Sequence, residues 1–224
     1  MTAVLGTPPE RTRRTPAHRG GGRGVIAPPL AQRAPVWDTV IPWPPTSGTE
    51  GRAPLVWLLG AHGGAGVTTL ARVLAPAADC WRRWPAPRPE ESPYVAVVAR
   101  ETAIGLAAAD ALLRQHHAGL AGASAVVGLV TVAARPGRVP AAIRRDRQLY
   151  AALVPHVWRI GWHEAWMTTT HDMLPVWDPT DPTAPGHRDE LATAPADVAA
   201  LGRALITVIG ELDCAGPSTI GGTP

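Results

Sequence analysis

A glycine-rich segment from Gly60 to Thr69, with the sequence GAHGGAGVTT, is the feature that most restricts the fold of this chain. An apolar run, residues 55–59, precedes it, and a helical pattern of apolar residues follows it from Val67 to Leu74. Closely spaced glycines allow a tight turn, and a tight turn between a strand and a helix presents backbone N–H groups to an anion. The segment therefore predicts a strand–loop–helix unit whose loop can hold a phosphate group.

Val67 occupies the position at which such a loop normally carries lysine. In the pattern G-x-x-x-x-G-K-[ST], the lysine contacts the outer phosphates and the next hydroxyl group binds magnesium. The corresponding residues here are Val67 and Thr68, and all 21 basic residues of the chain are arginine. A replacement charge must therefore come from arginine, histidine or a partner. Lysine, asparagine and phenylalanine are all absent, which is typical of a GC-rich genome, so drift in a protein that never needed the lysine also explains the valine.

The rest of the chain alternates short β-branched runs with helical patterns, which is typical of a parallel sheet built from βα units. We therefore expect a three-layer α/β/α sandwich with a mainly parallel sheet, of the P-loop NTPase kind. The domain is assigned to residues 51–215, with a proline-rich flexible excursion at 168–193 and a disordered tail at 216–224. The predicted strands are 55–60, 94–99, 124–133 and 156–161, and the predicted helices are 67–76, 102–118, 140–153 and 195–213.

The first 50 residues are rich in proline, glycine and arginine, and this composition predicts a disordered tail. Within it, residues 36–44 form an apolar island that contains Trp37 and Trp43. Tryptophan is enriched at protein interfaces, so the island could bind an unknown protein partner. It could equally pack back on the domain as an edge segment.

Charge and cysteine content restrict the possible functions. Residues 1–53 hold 7 arginines and 3 acids, whereas residues 54–224 hold 14 arginines and 15 acids, so the folded part is nearly neutral and specific nucleic-acid binding is not expected. Cys80 and Cys214 lie far apart and predict neither a metal site nor a disulfide framework. No apolar stretch has the length of a membrane span or a signal peptide, so we expect a cytoplasmic protein.

Residues 62–69 (HGGAGVTT) resemble the deviant Walker A motif of the ParA/MinD group, K-G-G-x-G-K-[ST]-[ST]. In this resemblance His62 stands at the signature-lysine position, which in the family reaches across a dimer interface to the partner's nucleotide, and Val67 stands at the P-loop lysine position. The resemblance covers about residues 54–165. It implies weak binding of ATP with Mg²⁺, or loss of the cofactor altogether, and a possible homodimer.

The whole chain also resembles an uncharacterised family of actinobacterial proteins, often encoded on conjugative or other mobile elements. The resemblance lies in a degenerate H-G-G-A-G loop and in a V-A-R-x-x-x-x-G-L segment at residues 98–106. It implies a role in transfer, partition or maintenance of a mobile element.

Only about 17 residues, 77–93, separate the loop helix from the next predicted strand. The ParA/MinD group carries its switch aspartates in βα units that need more chain than this. Asp79, Glu90 and Glu91 lie in the segment, but its tryptophan, arginine and proline content predicts a connector. We therefore expect the acids that hold magnesium and position water to be missing.

Arg100 is the first candidate to replace the missing positive charge, because it follows the end of a predicted strand, where open α/β sheets bind ligands. Alternatively, Arg100 is solvated or pairs with Glu101. His62 can imitate a lysine only when protonated, and a structural role in the loop is the alternative. The predicted nucleotide-binding residues are Gly60, Ala61, His62, Gly63, Gly64, Ala65, Gly66, Val67, Thr68, Thr69 and Arg100, with Thr68 also the predicted metal ligand.

Two functions remain open from the sequence. The first is a ParA/MinD-like pseudo-ATPase that keeps the loop, has lost hydrolysis and acts as an interaction or regulatory protein. The missing lysine and acids favour it, because phosphoryl transfer depends on positioned positive charge and metal. The second is a weak NTPase that uses Arg100, His62 or a partner residue in place of the lysine.

Overall fold

A computed structural model of the protein describes residues 25–39, 41, 53–75, 77–86, 91–180 and 191–215. In this part of the chain five strands form one sheet in the order β2-β1-β3-β4-β5, and every neighbouring pair is parallel. The predicted α/β fold with a parallel sheet is therefore confirmed. The strands are β1 Val56–Gly60, β2 Ala77–Asp79, β3 Tyr94–Arg100, β4 Ala125–Val132 and β5 Val157–Ile160.

Helices cover both faces of the sheet, which gives three layers. The first and last helices pack on one face, and the second and third pack on the other. Within the residues that the structure describes, no helix is both long and apolar enough to cross a membrane. The helices are α1 Val67–Val73, α2 Ala103–His117, α3 Ala141–Ala151, α4 Glu164–Met167 and α5 Ala196–Ala215, with short 3-10 turns at Leu30–Gln32 and His171–Met173.

Alternate residues of the central strands supply the two halves of the core. Val56 and Leu58 of β1 pack towards α1 and α5, whereas Trp57 and Leu59 pack towards α2. All four side chains are at most 1% exposed. A strand covered on both faces is apolar throughout, which is why residues 55–59 form a continuous apolar run in the sequence.

The strand order creates a switch point between β1 and β3. After β1 the chain moves outward to β2, and it then returns past β1 to form β3, β4 and β5 in turn. The loops that follow β1 and β3 therefore leave towards opposite faces and open a crevice at the carboxyl ends of the two strands. Open α/β sheets bind their ligands at such a crevice.

Strand β2 corrects the expectation that residues 77–93 form only a connector. Ala77, Ala78 and Asp79 pair in parallel with Val56, Trp57 and Leu58 of β1. Alanine and aspartate are poor strand formers, so the local sequence carries no strand signal. Pairing with the buried β1 supplies the stabilisation that these residues lack themselves.

Part of the predicted disordered tail packs on the domain. The Nε1 atom of Trp37 donates a hydrogen bond to the carbonyl oxygen of Cys80 at 2.9 Å, and the Trp37 backbone N–H donates to Trp84 O at 2.8 Å. Ile41 is 1% exposed. Trp37 and Ile41 thus pack on the domain, although they lie in the segment that was predicted to be a disordered tail. Trp43 and the other residues of the predicted tail lie outside the described residues.

The predicted flexible excursion at 168–193 is also partly built into the domain. Trp177 is 4% exposed, its backbone N–H donates to Val73 O at 2.8 Å, and its backbone carbonyl oxygen accepts from Ala75 N at 3.0 Å. These contacts hold Trp177 against the end of α1, within the range that was predicted to be a flexible excursion. Residues 181–190 and 216–224 lie outside the described part of the chain.

Candidate functional site

The loop after β1 takes its shape from glycines with a left-handed backbone. Gly64 has φ 76° and Gly66 has φ 99°, and Gly66 is the residue that precedes α1. A side chain at either position would strain the backbone, because only glycine adopts this region without cost. The glycines therefore explain how the chain turns from β1 into α1 within six residues, 61–66.

Val67 is a core residue beneath this loop. It is 7% exposed and packs in the same cluster as Leu70 and Val73. Its Cγ2 atom would lie 3.1 Å from a Cβ built on Gly60, so its methyl groups touch the end of β1. The loop nevertheless borders an open cavity of about 420 Å³, which we call the loop cavity.

Arg100, at the end of β3, holds the loop from the opposite side of the crevice. Its Nε atom donates to Gly64 O at 3.0 Å and its Nη1 atom donates to Ala133 O at 2.7 Å. A guanidinium group has five N–H donors, so several stay available for an anion in the loop cavity, which Arg100 lines. The alternative partner, Glu101, instead accepts hydrogen bonds from Arg147 and Arg159.

His62 links the two loops as a neutral ring. The backbone N–H of Arg100 donates to His62 Nε2 at 3.1 Å, so Nε2 carries no proton. Its Nδ1 lies 2.8 Å from Gly63 O, and because a carbonyl oxygen only accepts, Nδ1 carries the proton. In this arrangement His62 is not a cation. The structural role is supported, and the use of His62 as a lysine substitute is not.

Gly105, in the first turn of α2, leaves room for the His62 ring. A Cβ at this position would lie 2.8 Å from His62 Nε2, 2.9 Å from Thr102 Oγ1 and 2.5 Å from Arg100 O. The side chain of Thr102 caps α2 by accepting from Gly105 N at 3.0 Å. Gly105 belongs to the V-A-R-x-x-x-x-G-L segment, and this close packing explains why glycine stands there.

We predict that Gly105→Ala destabilises the protein by about 1–3 kcal/mol, the usual cost of overpacking. The methyl group must displace the backbone of Arg100 or the ring of His62. Thermal unfolding should show a melting temperature lower by several degrees, at about 2–4 °C per kcal/mol. The matched control is Gly210→Ala on α5, where an added Cβ meets nothing within 4 Å; an equal loss in both variants would contradict the assigned contact.

Asp79 lies beside Thr68, the predicted metal ligand. The Thr68 hydroxyl donates to Asp79 Oδ2 at 3.4 Å, a long hydrogen bond. Burial raises the pKa of Asp79, and hydrogen bonds from Trp81 N and Thr68 counteract this only in part. Asp79 could not be predicted as a site residue because β2 could not be predicted. Asp79 is the last residue of β2, and this strand places it beside Thr68 of α1.

A threonine hydroxyl and a strand-end aspartate are the protein ligands that hold Mg²⁺ in P-loop NTPases. Thr68 and Asp79 therefore fit this metal, since Mg²⁺ usually takes one or two protein oxygens and completes its shell with phosphates and water. Among the described residues, no three His, Cys, Asp or Glu side chains converge on a possible metal site. A metal ion here would thus depend on phosphate and water ligands for most of its coordination.

Trp81 and Arg82 form a strained corner at the mouth of the loop cavity. Their φ angles are 56° and 58°, and such values are rare for residues other than glycine. Each costs about 1–3 kcal/mol, a strain that is often found at functional sites. The Asp79 carboxylate supports the corner by accepting from Trp81 N at 2.7 Å. The sequence carries no signal for this corner, because it lacks the expected glycine or asparagine.

A model of a family of unknown function, DUF6668, matches residues 54–175, which is more than half of the chain. The chain therefore belongs to this family. No curated protein and no solved structure was found to match it. The matched range includes β1, the loop, β2 and β3, and so contains every residue of the candidate site.

Proposed function

We propose that this member of a family of unknown function is a phosphate-loop protein that binds a nucleotide weakly and does not hydrolyse it efficiently. The nucleotide of first choice is ATP with Mg²⁺. The Arg100 guanidinium, fixed against Gly64 at the carboxyl ends of β1 and β3, carries this proposal. It supplies positive charge to a loop that has lost its lysine, at the place where such sheets bind ligands.

The same site argues against efficient hydrolysis. Phosphoryl transfer needs positive charge on the outer phosphates and a residue that orients the attacking water. Val67 offers no charge, and His62 is neutral while it accepts from Arg100 N. Among the described residues, Asp79 is the only acid that lines the loop cavity, and as a metal ligand it cannot also position water. In this proposal the protein acts through the partner it binds. The resemblance to actinobacterial proteins that are often encoded on mobile elements extends the proposal to transfer, partition or maintenance of such an element.

A weak NTPase is the second candidate, and the Thr68–Asp79 contact favours it. In this case Thr68 and Asp79 would hold Mg²⁺, which would supply positive charge to the phosphates, and Arg100 would take the place of the lysine. An arginine can stabilise the charge of the transferred phosphoryl group. The two candidates predict different rates of phosphate release.

We expect the purified full-length protein to release phosphate from ATP no faster than buffer does at physiological magnesium concentration. The reason is the missing lysine together with the missing water-positioning acid. Phosphate release under saturating ATP measures this directly, with an active P-loop ATPase as the positive control. Turnover on the order of 1 per second, within the range of ordinary enzymes, would favour the NTPase instead.

A further inference from the structure

A second cavity lies against the loop cavity, on the face of the sheet that α2 covers. Its volume is about 710 Å³, and we call it the side cleft. One wall is the first half of α2, where Ile104, Ala107 and Ala111 line it, and the facing wall is the segment 31–35. Ile104 is 82% exposed, so the apolar surface of the cleft is open to a ligand.

The two cavities are direct neighbours. Gly60, His62, Trp81 and Arg82 line both of them. Binding sites for small molecules usually measure about 300–1,000 Å³, and the side cleft lies within this range. The third cavity that borders the loop, beside Trp162, measures about 70 Å³ and is too small to enclose such a ligand.

Trp81 stands at the junction of the two cavities. Trp81 is 57% exposed. Its backbone has a left-handed conformation, and its backbone N–H donates a hydrogen bond to the Asp79 carboxylate. An exposed tryptophan on a fixed backbone offers a flat apolar surface at low entropic cost. Aromatic side chains bind nucleic-acid bases by stacking, and arginine can add to this contact. Arg82 lies next to Trp81 at the same opening.

We infer that the side cleft is the subsite for the aromatic part of the phosphate-bearing ligand, and that Trp81 stacks on a purine base there. This inference rests on the proposed function, because it assumes that the phosphates occupy the loop cavity. The side cleft then holds the base between Trp81 and the alanine-rich wall of α2. The ligand class is a purine nucleoside diphosphate or triphosphate.

Calorimetric titration of the full-length protein with magnesium ADP and with magnesium pyrophosphate tests the inference, because pyrophosphate has no base. Trp81→Gly removes the ring, and glycine accepts the φ of 56° without strain. Ala107→Phe fills the cleft from an exposed position on α2. The matched control is Trp162→Ala, which removes a tryptophan from the small cavity on the other side of the loop.

We expect the unmodified protein to bind ADP more tightly than pyrophosphate. Trp81→Gly should lower the affinity for ADP by about five- to 150-fold, the range expected for a lost stacking contact. Ala107→Phe should also weaken ADP binding and should leave pyrophosphate binding unchanged, because Ala107 lines only the side cleft. Trp81 borders both cavities, so Trp81→Gly should weaken the binding of ADP more than the binding of pyrophosphate. Selective loss of ADP in Trp162→Ala would place the base in the small cavity and overturn the inference. An equal loss of affinity for ADP and for pyrophosphate in Trp81→Gly would also overturn the inference. The same holds if Trp81→Gly and Ala107→Phe both bind ADP as the unmodified protein does. Absence of pyrophosphate binding to the unmodified protein would instead contradict the proposed function itself.

Discussion

Glu101→Ala is expected to lower the melting temperature by about 4–12 °C. The Glu101 side chain is 4% exposed, and its carboxylate accepts from Arg147 Nη1 at 2.6 Å and from Arg159 Nε at 2.9 Å. Breaking a buried ion pair costs about 3–5 kcal/mol because a charge is left without a partner. The two arginine side chains are 24% and 38% exposed, and water can solvate them in part. We therefore expect about 2–3 kcal/mol, at about 2–4 °C each.

The matched control for this prediction is Asp110→Ala, which breaks the Asp110–Arg114 pair on α2. Its side chains are 20% and 39% exposed, and exposed pairs contribute about 0–1 kcal/mol. Thermal unfolding of both variants separates the two cases. If Glu101→Ala melts within one or two degrees of Asp110→Ala, the carboxylate does not hold β3, α3 and β5 together as described.

Val67→Lys is expected to strengthen binding of magnesium pyrophosphate about tenfold or more. Thr68, Asp79 and Arg100 already surround the loop cavity, so the lysine adds the one charge that the loop lacks. A hydrogen bond to a charged group contributes about 1.5–3 kcal/mol, and about 1.4 kcal/mol is a factor of ten. The free protein should also lose stability, because position 67 is 7% exposed and would bury an ammonium group.

The control is Val67→Met, which lengthens the side chain without adding charge. Titration calorimetry of both variants gives the comparison. If the Val67→Lys variant binds pyrophosphate no more tightly than the Val67→Met variant does, position 67 does not face the phosphates. Fast ATP hydrolysis by Val67→Lys would mean that the lysine alone was missing and that a water-positioning group is present after all.

Features that depend on a few neighbouring residues could be predicted from the sequence. The apolar run before Gly60 and the glycines after it indicate β1, the loop and the start of α1, because a buried parallel strand and a positive φ each demand particular residue types. Arg100 could be placed by the same logic, since parallel strands end at one edge of the sheet.

Features that depend on distant contacts could not be predicted. The strand that ends at Asp79 has the sequence Ala-Ala-Asp, and it forms because it pairs with β1. In this pairing Ala77 lies opposite Val56, which is 21 residues earlier in the chain. The segment around Ala34 is held by Gln115, whose side chain accepts from Ala34 N at 2.8 Å and donates to Ala34 O at 2.7 Å. Composition alone placed that segment in a disordered tail, because nothing local reports a partner 81 residues along the chain.

Titration of the full-length protein with magnesium pyrophosphate, compared between the unmodified chain and Arg100→Ala, tests the phosphate-binding role most directly. Arg145→Ala is the matched control, because it removes the same charge from an exposed position on α3 that lines none of the cavities described above. We predict weak, salt-sensitive binding by the unmodified protein and by Arg145→Ala, and a loss of about tenfold or more in Arg100→Ala. Equal binding by Arg100→Ala and the unmodified protein, or no binding by the unmodified protein, would contradict a phosphate site formed by the glycine-rich loop and Arg100.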